Sequence, residues 1–169
     1  SRDGMIWSQA RRVTGADGAP VEGVIEQDPH LIDGRVMTAF HLRPGMIAKP
    51  FFTDDPLGVS GWTPGRMQNL PRDASGAAAA HERRLSREIE PSLFRRADGC
   101  AVMVFRDEEL SFRQLASDSC DRGVSWTTPV RTAMPDARAK QSAGNLPDGS
   151  AYLVNAPNSD RPRLPLAVT

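Results

Sequence analysis

Three tryptophans, Trp7, Trp62 and Trp126, close three copies of one turn-rich pattern, and that repetition restricts the chain to folds built from like units. They lie 55 and 64 residues apart. The third copy, Ser119-Cys120-Asp121-Arg122-Gly123-Val124-Ser125-Trp126, fits Ser-x-Asp-x-Gly-x-Ser/Thr-Trp, and the copies ending at Trp7 and Trp62 are looser. Such a box is a stabilising device. The Asp carboxylate accepts backbone N–H groups across a tight turn, Gly takes the positive φ, and Trp folds back as an apolar plug. Ser119, Asp121, Gly123 and Trp126 are therefore assigned a structural role.

A second mark keeps step with the first. Asp-Gly occurs at Asp33-Gly34, Asp98-Gly99 and Asp148-Gly149, each beside a short apolar run (36–40, 101–105, 151–155) of strand-forming character. From Gly34 to Trp62 is 28 residues and from Gly99 to Trp126 is 27. A repeat of roughly 50–65 residues holding four short strands is the period of a propeller blade. The pattern predicts an all-β chain: a single incomplete β-propeller domain over 1–169, with about three four-stranded antiparallel blades near 1–62, 63–126 and 127–169. One stretch, 76–85, reads as a short helix or a loop inside a polar segment, 64–87, that is predicted to be an exposed insertion rather than a lid.

Charge and composition exclude several partners. Lys+Arg and Asp+Glu both number 21, so no basic excess exists to bind a phosphate backbone, and nucleic acid is not an expected partner. No apolar run approaches the length of about 18 residues that a membrane helix needs. Cys100 and Cys120 are too few for a zinc finger and are read as two buried thiols in preference to a bridge. No metal or other cofactor is expected. The chain opens on Ser1 and closes on Leu166-Ala167-Val168-Thr169, which reads as a strand cut midway, so a fragment is expected.

An acidic residue and a proline stand before two of the Asp-Gly turns, at Asp28-Pro29 and Glu90-Pro91; the third copy reads Gly144-Asn145-Leu146. If each begins the innermost strand of its blade, the hairpin geometry returns Arg106 to the side of Glu90, with Asp107 next to it. The same construction predicts Asp28 beside His41 and Arg43, and Asn145 beside Asn155, with Arg163 descending at the same rim.

These residues resemble the sialidase (neuraminidase) superfamily, whose bacterial members carry repeated Asp-boxes on a six-bladed propeller. The stretch from Glu90 through Asp98-Gly99 and Arg106 to Trp126 looks like the family segment bearing a catalytic glutamate and the second arginine of a carboxylate-binding triad. Arg163-Leu164-Pro165-Leu166 is similar to the third-arginine segment, with Arg161 as a substitute. The resemblance implies an exo-glycosidase that removes sialic acid or a similar acidic sugar from glycans, secreted or periplasmic. Glu90 would polarise a tyrosine nucleophile, while Arg106 and Arg163 would grip the sugar carboxylate. Asp28, His41, Arg43, Asp107, Asn145 and Asn155 would bind substrate. The first arginine and the acid aspartate would precede Ser1 and the nucleophile would follow Thr169, so the chain alone is expected to be inactive. Its one tyrosine, Tyr152, reads as core. Two rivals keep the fold: an enzyme acting on uronic-acid polysaccharides, with Asp28, His30 or His41 moving protons, and a non-catalytic propeller binding glycans or proteins.

Overall fold

The computed structural model describes residues 3–43, 45–71, 86–109, 111–160 and 162–169; the helix-or-loop stretch at 76–85 and Arg161 lie outside them. Every regular element among the described residues is a strand. The first sheet joins β1 (Val24–Ile25), β2 (His30–Ile32), β3 (Arg35–Leu42), β4 (Ile47–Thr53) and β5 (Thr63–Pro64). After β6 (Arg66–Met67) comes a four-stranded antiparallel meander of β7 (Glu88–Arg95), β8 (Ala101–Asp107), β9 (Arg113–Ser119) and β11 (Val130–Pro135). A third sheet holds β12 (Ser142–Asn145), β13 (Ala151–Asn155) and β14 (Ala167–Val168). These are propeller blades stacked face to face.

Strand alternation explains the stacking. Along β8, Ala101, Met103 and Phe105 point one way, into a core shared with Met37, Ala39 and Leu93. Val102 and Val104 point the other way, against Ala143 and Leu153 of the third blade. A central blade buried on both faces therefore needs the unbroken apolar run that its sequence has. In β3 the odd positions, Met37 and Ala39, face the second blade, whereas Val36 and Phe40 pack against Phe51 and Trp62.

The Asp-Gly pairs turn as expected, in two ways. Asp33 and Gly34 both have positive φ (51° and 73°), the signature of a two-residue type I′ turn. The other two place only the glycine there, closing longer loops through Gly99 N–H to Arg96 O and Gly149 N–H to Leu146 O.

The third box is built as its residue types dictate. Ser125 N–H and the Ser119 hydroxyl donate to Asp121 Oδ1 at 2.8 and 2.9 Å, and Trp126 Nε1 donates to Gly123 O at 3.0 Å. Burial pushes the Asp121 carboxyl up, but the bonds from Ser125 and Ser119 outweigh it and hold its pKa below the usual carboxylate range. In the second box Ser60 donates to Asp55 and Trp62 Nε1 to Gly58 O. Trp62 and Trp126 are buried at 3% and 7% exposure, while Trp7 is 75% exposed. The three tryptophans thus share a local turn without sharing surroundings.

β10 (Ser125–Trp126) pairs in parallel with β6 and locks the third box onto the first blade. Two backbones meet closely at this seam: a Cβ on Gly65 would lie 2.5 Å from Gly123 O. The cysteines depart from expectation. Ala101 pairs with Ser119, so Cys100 and Cys120 are the next cross-strand pair, and they form a disulfide with Cα atoms 4.3 Å apart. Residue separation alone gave no sign of that register.

Candidate active site

Two rims result from this topology. The Asp-Gly turns, the boxes ending at Trp62 and Trp126, and the disulfide occupy one. The other collects the start of β7, the end of β8, the ends of β3 and β13, and the loop after β11.

On that second rim Glu90 and Arg106 meet, Arg106 Nε lying 3.1 Å from Glu90 Oε2 with both side chains mostly buried. The pairing of β7 with β8 slips between Ile89 and Ser92, and Glu90 sits in the bulge with φ 51°. A non-glycine residue rarely holds that conformation, and here the surroundings over-determine it. Glu90 N–H donates to His41 Nε2 at 3.3 Å, and the Gln141 amide donates to both Glu90 O and Val104 O at 2.7 and 3.0 Å. The bulge turns the carboxylate out of the strand alternation and toward Arg106.

His41 is fully buried, and its Nδ1 lies 3.3 Å from Glu26 Oε1. Accepting the Glu90 N–H requires a free Nε2 lone pair, which assigns the ring proton to Nδ1, facing Glu26. His41 and Arg106 each stand eight residues beyond the Asp of their hairpin, Asp33 and Asp98. The first blade therefore repeats the second: Glu26 with His41, Glu90 with Arg106. Counting from the turn gives His41 but not its partner, since Glu26 stands seven residues before Asp33 whereas Glu90 stands eight before Asp98; counting from the proline points to Asp28.

Asp28 is exposed and does not reach His41, whose strand partner is Val24. It raises the pKa of His30, although burial, the larger influence, leaves that imidazole lowered and so neutral near pH 7. Arg43 is exposed and lines a groove with Lys49 and Arg66.

Asn145 is not beside Asn155. It pairs with Ala151, next to the Asp148-Gly149 turn, and its side chain bonds Arg95 N–H and Arg95 O on the opposite rim. The β12–β13 hairpin is short, so Asn145 ends its strand at the turn instead of starting it. Asn155 is on the Glu90 rim, buried, where its amide donates to Pro135 O at 2.9 Å. Asp107 is buried and accepts from the Ser86 hydroxyl and from the backbone N–H groups of Arg87 and Glu109, which closes the mouths of β7 and β8. Arg163 is exposed, in a segment tied down by Asn158 to Pro162 O and Leu164 O. Tyr152 is half-buried over Gly144 rather than in the core.

Besides Glu26, a further acid at this rim has no mark in the sequence. Asp136, 1% exposed, follows β11 in the loop that Asn155 anchors, and its carboxylate accepts from Ala139 N–H at 3.3 Å. Burial pushes its pKa up to about 6; the charges of Arg106 and Arg163 oppose that rise and the charge of Glu90 adds to it. No motif marks it. Among the described residues no group of three or more His, Cys, Asp or Glu side chains is placed to hold a metal ion.

Comparison with solved structures places this geometry in a known fold. The chain superposes on a protein of unknown function from Dyadobacter fermentans with a TM-score of 0.63 at 17% identity, covering 90% of this chain and 41% of that one. It also matches the NanB sialidase from Streptococcus pneumoniae (TM-score 0.51, 12% identity, 81% and 19% covered). An exo-beta-1,3-galactanase from Phanerochaete chrysosporium is similar too (TM-score 0.52, 9% identity, 94% and 41% covered). The chain spans well under half of each of these molecules. No curated protein matches it in sequence. The model of the BNR repeat-like domain matches residues 1–169, and with blades, hairpin turns and boxes arranged as described, the chain belongs to that family.

Proposed function

We propose that the whole protein carrying this chain is an exo-acting glycosidase that removes terminal sialic acid or a similar acidic sugar, and that this chain alone is inactive. The observation that supports the reading is the Glu90–Arg106 pair, set in a backbone conformation that two buried side chains, His41 and Gln141, maintain. A glutamate at hydrogen-bond range of a guanidinium can polarise a nucleophile, while the guanidinium fork suits a planar carboxylate. In this reading Glu90 acts on a nucleophile from outside the chain, and Arg106 and Arg163 hold the anion. The disulfide supports a secreted or periplasmic location, since such bridges persist in oxidising compartments.

The test is hydrolysis of a fluorogenic sialoside by the whole protein. Glu90→Gln and Arg106→Ala are each expected to lower kcat by on the order of a hundredfold or more, with melting temperatures close to the parent's. Undiminished rates in both variants reject the assignment. A second reading, a propeller enzyme acting on uronic-acid polysaccharides, is favoured by the neutral, half-buried His30 beside Asp28, whereas both His41 nitrogens are committed to Glu26 and Glu90. Turnover of polygalacturonate that His30→Ala abolishes would select it.

A further inference from the structure

The loop carrying Asp136 is wedged between two blades. Its backbone is fastened on one side through Asp136 N–H to Phe112 O and on the other through Ala137 N–H to Ala156 O and the Asn155 amide to Pro135 O. Arg106 Nη1 reaches Arg138 O in the same loop at 3.4 Å, so the guanidinium that faces Glu90 also borders Asp136. The carboxyl itself is buried and, among the described residues, accepts a hydrogen bond from Ala139 N–H. The charges that act on it come from Arg106 on β8, Glu90 on β7 and Arg163 beyond β13. Arg138, on its own loop, directs its guanidinium to Glu108 O, and Phe112, Asn155 and Ala156 contribute no charge.

Two cations, Arg106 and Arg163, and one other carboxylate, Glu90, thus act on the charge of Asp136. An arriving carboxylate adds one negative charge to a poorly solvated place and engages the same two arginines whose charge favours ionised Asp136. We propose that Asp136 couples anion binding to proton uptake: an acidic sugar settles against Arg106 and Arg163 as the Asp136 carboxylate takes one proton from solvent. This rests on the acidic-sugar reading above and adds to it a pH-dependent grip, tighter as the medium becomes more acidic. The Asp136 carboxyl is already pushed up to about 6, so a bound anion that raises it past neutrality makes the coupling span the range from about pH 6 to about pH 8.

The experiment is calorimetric titration of the whole protein with N-acetylneuraminic acid and, separately, galacturonate, in buffers of different ionisation enthalpy. Binding is expected to be roughly tenfold or more tighter at about pH 6 than at about pH 8, with uptake approaching one proton. Asp136→Asn should bind without that pH dependence. Saturable binding that is flat with pH, or a slope kept by Asp136→Asn, overturns the coupling and leaves the acidic-sugar reading intact. Should the variant fail to fold, the carboxyl carbon resonance of Asp136 in the parent decides, because its titration midpoint must rise at saturating ligand and an unmoved midpoint overturns the proposal. Failure of either sugar to bind at any pH rejects the acidic-sugar reading and the coupling together.

Discussion

Asp136 and Glu90 show how far one side chain's chemistry depends on what encloses it. Asp136 has its pKa raised in the folded state, from 3.8 to about 6, so the native chain holds its proton more tightly than the unfolded chain does. Its contribution to stability is therefore fully present below about pH 4 and is lost as pH rises through about 6, a change of about 3 kcal/mol at most. Urea unfolding of the parent and of Asp136→Asn should show the variant gaining relative to the parent between pH 4 and pH 7; an equal difference at both ends would contradict the buried environment described. At this scale the sequence was legible where residue type alone dictates behaviour. Glu90 and Arg106 are an acid and a base at matching hairpin positions, whereas Asp136 and Glu26 look like any loop acid until the blades enclose them.

Among the elements, the bulged start of β7 and the third box respond differently to damage. Gln141 gives one hydrogen bond to Glu90 O in the bulge and one to Val104 O on the facing strand. Gln141→Leu removes a donor from the Glu90 and Val104 carbonyls and is expected to cost about 1–3 kcal/mol and to lower kcat with little change in KM, since it acts by positioning Glu90. Asp121→Ala removes the acceptor for Ser119 and Ser125 on the other rim and should cost about 2–4 kcal/mol while leaving kcat unchanged below the melting temperature. Thermal melts beside initial rates separate the two, and an Asp121→Ala enzyme that is stable but slow would refute the division of rims. The box was readable because its contacts span at most four residues. Register was less so. Asn145 ends β12 at the turn and not at the far rim, because nothing local reports how many residues β12 has before its turn.

On the scale of the molecule, the blades are held by apolar faces and, within the central blade, by the Cys100–Cys120 bridge across β8 and β9. Closing a loop of 20 residues should stabilise by about 3 kcal/mol through the unfolded state. Paired Cys100→Ser and Cys120→Ser substitutions should lower the denaturant midpoint accordingly without altering the site's pH profile, and an unchanged midpoint under oxidising conditions would show the bridge to be inert. The recurrence of boxes and Asp-Gly turns established blades, their order and the end of the hairpins at which Glu90 and Arg106 emerge, since each of those follows from contacts a few residues apart. Which acids meet which bases across blades, that two thiols are partners, and that a plain loop aspartate keeps its proton up to about pH 6 were settled only by folding. Burial and long-range proximity arise from faces packed together from distant parts of the chain, and no spacing along the sequence encodes them.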